Sequence, residues 1–278
     1  MIESTRLPSA KPRLYHAPSS YYSMIARLAL AEGGIAYESV PVDIHARMSQ
    51  QKPDYVRLNP NMTVPTLVLA DRILDQSRDI AEYALGAGQA APDGETKTWL
   101  DLHYAYPIEE LTFGRILARN PLARILIPRR LRSVRRRLLA FAAAYPDLEH
   151  VYAARAEVFA ERVRVFDPDA VIRLAQKRRD EAIGLLTRMQ ETLEDGRAVM
   201  VPPAYGLADV VLTVFLARME FAGLGAEIAQ RPALARYWRA MQARPSFAAA
   251  DIWTKFHVLR FIGGIAGIAG LPRIVRNA

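Results

Sequence analysis

The chain has no cysteine among its 278 residues, which excludes disulfides, thiolate metal sites, iron–sulfur clusters and a cysteine nucleophile. Its chemistry falls to oxygen and nitrogen groups, or to a thiol carried by a bound molecule. Lysine is scarce. Of 37 basic residues only Lys11, Lys52, Lys97, Lys177 and Lys255 are lysines, so 32 are arginines, set against 29 acidic residues for a net charge of +8. An arginine-favouring composition is the plain explanation; affinity for anions, phosphate or a membrane is the functional one. Long hydrophobic runs are also missing. The longest uncharged stretch near the C-terminal end, residues 261–272, has 12 residues, short of the roughly 20 that span a bilayer. Residues 1–11 are polar and lack the apolar centre of a secretory leader, so the expected location is cytoplasmic. His16, His45, His103, His150 and His257 form no pair at metal-binding spacing, and no H-E-x-x-H or glycine-rich phosphate loop occurs, so no metal is expected.

What is present reads as a globular chain, with 51% hydrophobic and 24% charged residues. The first 90 residues alternate between strand and helix patterns. Arg13 to His16 is a short strand, Ser20 to Glu32 a helix stopped by Gly33 and Gly34, and Ile35 to Asp43 a second strand. An irregular helix follows over residues 45–58, then a hairpin turning at Ala70 and Asp71, then a helix over residues 77–85 stopped by Gly86 and Gly88. The order is βαβαββα. After residues 91–93 the period becomes helical, over residues 95–118, 122–144, 148–164, 168–194, 207–223 and 232–243, punctuated by Pro121, Pro146, Pro168, Pro202, Pro203 and Pro232. The expected architecture is an α/β unit, residues 1–90, followed by an all-α domain, residues 91–278, with a long helical insertion and a C-terminal tail over 252–278.

Four segments together resemble the cytosolic glutathione transferase superfamily: residues 20–30 (SYYSMIARLAL), 58–67 (LNPNMTVPTL), 76–83 (QSRDIAEY) and 206–209 (GLAD). Residues 52–59, 142–152 and 216–220 are similar to the tetrachlorohydroquinone dehalogenase-like transferases. The Gln76-Ser77 pair looks like the zeta class, the maleylacetoacetate isomerases, and the insertion and tail look like the ganglioside-induced differentiation-associated family. The resemblance implies a thioredoxin-like N-terminal domain, a helical C-terminal domain, glutathione as co-substrate and a homodimer.

Carried onto this chain, the resemblance puts the γ-glutamyl end of glutathione on Gln76 and Ser77. A helix N-terminus offers free N–H groups and a positive dipole to a carboxylate there, whereas plain N-capping by Ser77 is the structural alternative. Val64-Pro65 matches the superfamily's cis-proline turn, whose backbone pairs with the cysteinyl part. Ser20 matches the zeta-class catalytic serine. A hydroxyl at a helix start can donate to the glutathione thiolate and, with the dipole, lower a thiol pKa of about 8.5 toward neutrality. Capping is again the alternative, and Ser19, Tyr21 and Tyr22 compete for the thiol. His45, Arg47 and Lys52 fall where the family often holds the glycyl carboxylate. The family's cysteine two residues after the serine is Tyr22 here, which disfavours dehalogenation through a mixed disulfide and favours conjugation. Gly206-x-x-Asp209 keeps the acid of a capping box and reads as a folding motif.

The electrophile is expected between the domains, against Tyr22, Tyr104, Tyr106, Phe113 and Arg115, with Trp253 and Phe256 as a lid. Six arginines among residues 129–137 follow the apolar residues 125–127. They read either as a solvated helix face or as an interfacial element meeting anionic lipid. Nucleic acid is not expected, since aromatics are not interleaved with them. The residue pattern thus gives a glutathione transferase acting on a hydrophobic or aromatic electrophile. A non-catalytic or membrane-associated relative, and a glutathione-dependent isomerase or dehalogenase, stand as the alternatives.

Overall fold

A computed structural model describes residues 11–86 and 94–255, and the backbone of one further strand, Arg273–Val275. The α/β unit runs β1 (Arg13–His16), α1 (Tyr21–Glu32), β2 (Tyr37–Pro41), α2 (Pro53–Leu58), β3 (Thr66–Val68), β4 (Ile73–Leu74) and α3 (Ser77–Ala84). A 3-10 turn, Ser49–Gln51, replaces the first half of the helix expected over residues 45–58. Strand β1 lies parallel to β2, with Leu14 opposite Ser39, and antiparallel to β3, with Leu14 opposite Leu67. The strand order is β4-β3-β1-β2-β5, and β5 (Arg273–Val275) adds antiparallel to the β2 edge. Its sequence lies in the C-terminal tail, where a lid was expected; residues 256–272, including Phe256, lie outside the described residues.

Helices follow: α4 (Gly94–Ala105), α5 (Ile108–Arg119), α6 (Pro121–Ala144), α7 (Glu149–Arg164), α8 (Pro168–Leu193), α9 (Leu207–Phe221), α10 (Gly225–Ala229), α11 (Pro232–Gln242) and α12 (Pro245–Ala249). The single helix expected over residues 95–118 is two. Pro107 cannot donate to a residue one turn back, and α5 restarts after it. The five-residue helices α10 and α12 carry too little periodicity to register as a pattern. Gly114 has a packing reason to be glycine, because a β-carbon there would stand 2.1 Å from that of Ala175, so α5 lies directly on α8.

The main core joins α1 and α3 to α4, α8, α9 and α11 through residues such as Met24, Leu28, Ile80, Leu100, Leu186 and Phe215. Helix α9 is at its centre. Asp209 there accepts from the Gly206 N–H (3.0 Å), the Met200 N–H (2.8 Å) and the Tyr237 hydroxyl (2.8 Å), so the capping motif serves folding as expected. A second, smaller core holds α6 to α7 and to the α2 region through Val56, Met62, Leu138, Tyr152 and Phe159.

Candidate active site

The loop between β1 and α1 exposes the residues expected to meet the thiol. Ser20 is the N-cap of α1, its Oγ accepting from the Ser23 N–H at 3.3 Å. An oxygen that accepts there still has its own proton to donate. Beneath the loop Arg27 is buried with neutral partners only. Its Nη1 and Nη2 donate to the carbonyls of Ala17 (3.3 Å) and Pro18 (3.1 Å), and its Nε and Nη2 to those of Ala250 (2.7 Å) and Asp251 (3.0 Å). Burial, and then Arg27 itself, pushes His16 down to about 3. Neutral His16 can therefore accept from Arg27 at Nδ1 (3.2 Å), which leaves Nε2–H to donate to Ser39 Oγ (2.8 Å).

The competitors for the thiol separate. Ser19 Oγ meets His45 Nε2 at 3.0 Å. Tyr21 is buried and its hydroxyl meets His103 Nε2 at 2.7 Å; burial holds His103 at about 3, so the phenol is the donor. Tyr22 is half-buried, and burial followed by Glu109 raises its hydroxyl pKa.

Beside this loop a cleft of about 550 Å³ opens between the α/β unit and the helices. Tyr22, Val64, Pro65, Gln76, Ser77 and Tyr104 all line it, so six of the expected site residues come together. The Val64–Pro65 peptide is cis. Its approach is fixed by Asn59, whose Nδ2 donates to the Thr63 carbonyl (3.1 Å) and Thr66 Oγ1 (2.9 Å) and whose Oδ1 accepts from the Asn61 N–H (2.9 Å).

Gln76, not Ser77, occupies the N-cap of α3, and its side chain makes no capping bond. Ser77 is the first helical residue, buried, with Oγ 3.4 Å from the Tyr104 hydroxyl. The capping alternative for Ser77 therefore does not hold, and the first-turn amides of α3 face no intrahelical acceptor. Asp75 and Asp79 share the same wall. Asp75 accepts from Asn61 Nδ2 at 2.8 Å, while burial and the neighbouring Glu82 and Asp75 raise Asp79. Helix amides next to two carboxylates offer matching partners to both ends of an α-amino acid.

The remaining expected residues stand elsewhere. Ser20 lies on the adjoining loop and is not on the cleft wall, whereas Tyr22 is. His45 and Lys52 are exposed and away from it. Tyr106 is buried and donates to the Arg178 carbonyl (2.7 Å). Phe113 is exposed, and Arg115 packs beside Gly223. Trp253 is core rather than lid, its backbone N–H 3.2 Å from Met24 Sδ. The wall also holds residues not singled out in advance. Asn61, Thr63, Arg78 and Asp79 sit inside the recognised segments, but Arg155 arrives from α7 with no local signal.

Comparison with known proteins follows the same lines. Residues 19–85 match the family model described as "Glutathione S-transferase, N-terminal domain". The chain is 33% identical over 250 residues to the tetrachloro-P-hydroquinone reductive dehalogenase of Sphingobium chlorophenolicum, covering 86% of this chain and 95% of that protein. It is 29% identical over 244 residues to glutathione S-transferase TCHQD of Arabidopsis thaliana, covering 84% and 87%. A glutathione transferase family member from Pseudomonas fluorescens Pf-5, solved with two glutathione bound, shares the fold with a TM-score of 0.60 at 17% identity, over 87% of this chain and 92% of that one. The class is thus a thioredoxin-like α/β unit joined to a helical remainder. The chain belongs to the glutathione S-transferase family and is a glutathione transferase enzyme.

Proposed function

We propose that this chain binds glutathione in the cleft beside α3 and directs its thiolate onto a hydrophobic electrophile. The γ-glutamyl carboxylate meets the α3 amides and Ser77, and its ammonium lies toward Asp75 and Asp79. The Val64 backbone pairs with the cysteinyl part, which brings the thiol toward the β1–α1 loop. The single observation that carries the reading is the convergence of Val64, Pro65, Gln76, Ser77 and Tyr22 on one cleft.

The chemistry needs a thiolate at neutral pH. A thiol of pKa about 8.5 is ionised to only about 3% at pH 7. A hydrogen bond to a charged group contributes about 1.5–3 kcal/mol, or about one to two pKa units at 1.36 kcal/mol each. One hydroxyl from Ser20, reinforced by the α1 N-terminus, is therefore enough to bring the thiol near neutrality. The thiol proton leaves to solvent, the sulfur lone pair forms a C–S bond, and a leaving group departs with its electron pair or an added proton completes an addition. Reductive cleavage through a mixed disulfide with this chain is not open, since no cysteine exists to form one.

Tyr22 is the second reading for the thiol donor, because it is on the cleft wall where Ser20 is not. Titrating thiolate absorbance of bound glutathione decides between them: Ser20→Ala raises the thiol pKa by about one to two units if Ser20 donates, and Tyr22→Phe does so if Tyr22 does. Calorimetry tests the site itself. Ser77→Ala is expected to weaken glutathione binding by about 1–3 kcal/mol; unchanged affinity removes the site. His45 and Lys52 as glycyl-carboxylate contacts, Phe113 and Arg115 as electrophile contacts, a glutathione-binding unit over residues 1–90 and an electrophile-binding one over 91–278 belong to the same proposal. So do a homodimer and a cytoplasmic location, checked by sedimentation equilibrium and cell fractionation.

A further inference from the structure

Helix α6 carries seven arginines and no acidic residue in 24 positions. At 100° per residue, Ala123, Val134, Leu138 and Ala142 form its buried stripe, and Leu122, Ile125, Leu126, Arg129, Arg132 and Arg136 share the outward sector. All six are exposed. Pro128 divides this face into an apolar first part and a cationic second part.

The apolar part is unusual for a face left in water. Nine large apolar side chains are exposed among the described residues, and five of them, Phe113, Ile116, Leu122, Ile125 and Leu126, fall between residues 113 and 126 at 42–58% exposure. Such clustering marks an interaction surface rather than scattered surface hydrophobes.

The cationic part is equally short of partners. Arg129, Arg132, Arg135 and Arg136 line a groove of about 640 Å³ with Ala160 and Val163 of α7. Only Arg135 approaches an acid there, its Nη2 3.7 Å from Glu157 Oε1, and its buried Nε has no acceptor among the described residues. Arg124, one turn earlier, is paired with Asp169 at 3.1 Å, while Arg130 and Arg137 donate to the carbonyls of His45 and Arg47. Arg129, Arg132 and Arg136 enter no ion pair with a described residue. A solvated helical face normally mixes both signs; this one concentrates one sign beside a bare apolar patch.

We propose that this face of α6 docks on an anionic bilayer surface. Leu122, Ile125 and Leu126 enter the boundary between headgroups and acyl chains, and Arg129, Arg132 and Arg136 pair with lipid phosphates through their guanidinium forks. The outward sector runs about 21 Å from Leu122 to Arg136 at 1.5 Å per residue, so the helix lies along the surface. No described helix is long and apolar enough to cross a membrane, and this attachment requires none. Nucleic acid offers the same phosphates but leaves the apolar part in water, and the outward sector has no aromatic ring for stacking. A second copy meeting this face through the same face brings another α6 without an acid to pair. The attachment is independent of the glutathione cleft, whose wall includes none of these side chains.

The test is co-sedimentation of the full chain with vesicles of phosphatidylcholine alone or mixed with phosphatidylserine, at low and high salt. Binding is expected only with phosphatidylserine and is lost at high salt. The exposed triple variant Arg129→Gln, Arg132→Gln, Arg136→Gln is expected to lower the partition coefficient about 100-fold, at about fivefold for each arginine near an anionic surface. Leu122→Ser, Ile125→Ser, Leu126→Ser is expected to lower it at least about tenfold with the arginines intact. Thermal unfolding checks that both variants fold; if the apolar one does not, the arginine variant carries the test. Wild-type binding by the arginine variant overturns the proposal. So does a dimer that the apolar variant converts to monomer while vesicles are not bound, or binding to duplex DNA without binding to vesicles.

Discussion

Helices α9 and α6 are both long, yet they are held in opposite ways. Every residue of α9 from Leu207 to Met219 is buried, including Asp209, Thr213 and Arg218. Helix α6 is longer and buries only Ala123, Val134, Leu138 and Ala142. One is the hub on which α1, α4 and α11 pack, while the other belongs to a hairpin with α7 that closes a small core of its own. The difference separates tasks. Stability and the framing of the cleft reside with α9, and the α6–α7 hairpin is a satellite with a surface to spare. Only Arg155 reaches from that satellite to the cleft.

Removing the polar centre of α9 is the most severe way to break the comparison. Asp209→Ala strands two backbone donors and the Tyr237 hydroxyl in the core. At about 1–3 kcal/mol for each unsatisfied group, a loss of about 4–6 kcal/mol is expected in chemical denaturation. A loss below about 1 kcal/mol contradicts the hub role.

Acid separates the regions next. His16 and His103 are buried in or beside the main core and held at about 3, chiefly by burial. Their unfolded pKa is about 6.5, so below that value the unfolded chain binds the extra protons. The stability these groups contribute is complete above about pH 6.5 and is lost as pH falls toward 3. At about 1.4 kcal/mol per pH unit for each, roughly 4 kcal/mol is gone by pH 5. His150, on α7, is exposed and contributes nothing of this kind. His103→Gln is expected to halve the acid slope between pH 6.5 and 5; an unchanged slope refutes the assignment.

The satellite core is weaker and more local. Leu138→Ala empties a fully buried site between α6 and α7, at a cost of about 2–4 kcal/mol. Hydrogen exchange is expected to speed in α6 and α7 while α9 amides stay protected. Equal acceleration in α9 means one cooperative unit instead of two. The smallest effect concerns the seam between the satellite and the α/β unit. Arg57 donates to Asp147 at 2.9 Å, but both side chains are about half exposed. Asp147→Ala is expected to cost under about 1 kcal/mol, and a larger loss makes that seam structural.

Most of the fold was legible because its signals are local. Ser20, Gly33 and Gly34 bound α1, Pro121 and Pro168 open α6 and α8, and the hairpin turns where Ala70 and Asp71 stand. The break at Pro107 is equally local and was passed over inside an otherwise continuous helical period. The glutathione cleft was legible where it is built from recognised segments, as at Val64, Pro65, Gln76 and Ser77. It was not legible at Arg155, 76 positions beyond Asp79, because nothing near Arg155 encodes which helix face turns to the cleft. Phe113 carries the opposite lesson. Its aromatic ring suggested a pocket wall, whereas the packing of α5 on α8 through Gly114 turns it to the surface.

The sequence by itself determined the element order, the absence of any thiol of its own, and the helix N-terminus at Ser77, since composition, period and turn residues act within a few positions of themselves. Only the tertiary structure decided which rings face the cleft. Tyr22 and Tyr104 reach it while Tyr21 turns to His103 and Trp253 to Met24. It alone set the polar residues of α9 inside and the apolar residues of α6 outside. Burial depends on which helices meet, and that is settled by distant partners competing for the same surfaces, not by the period of any one segment.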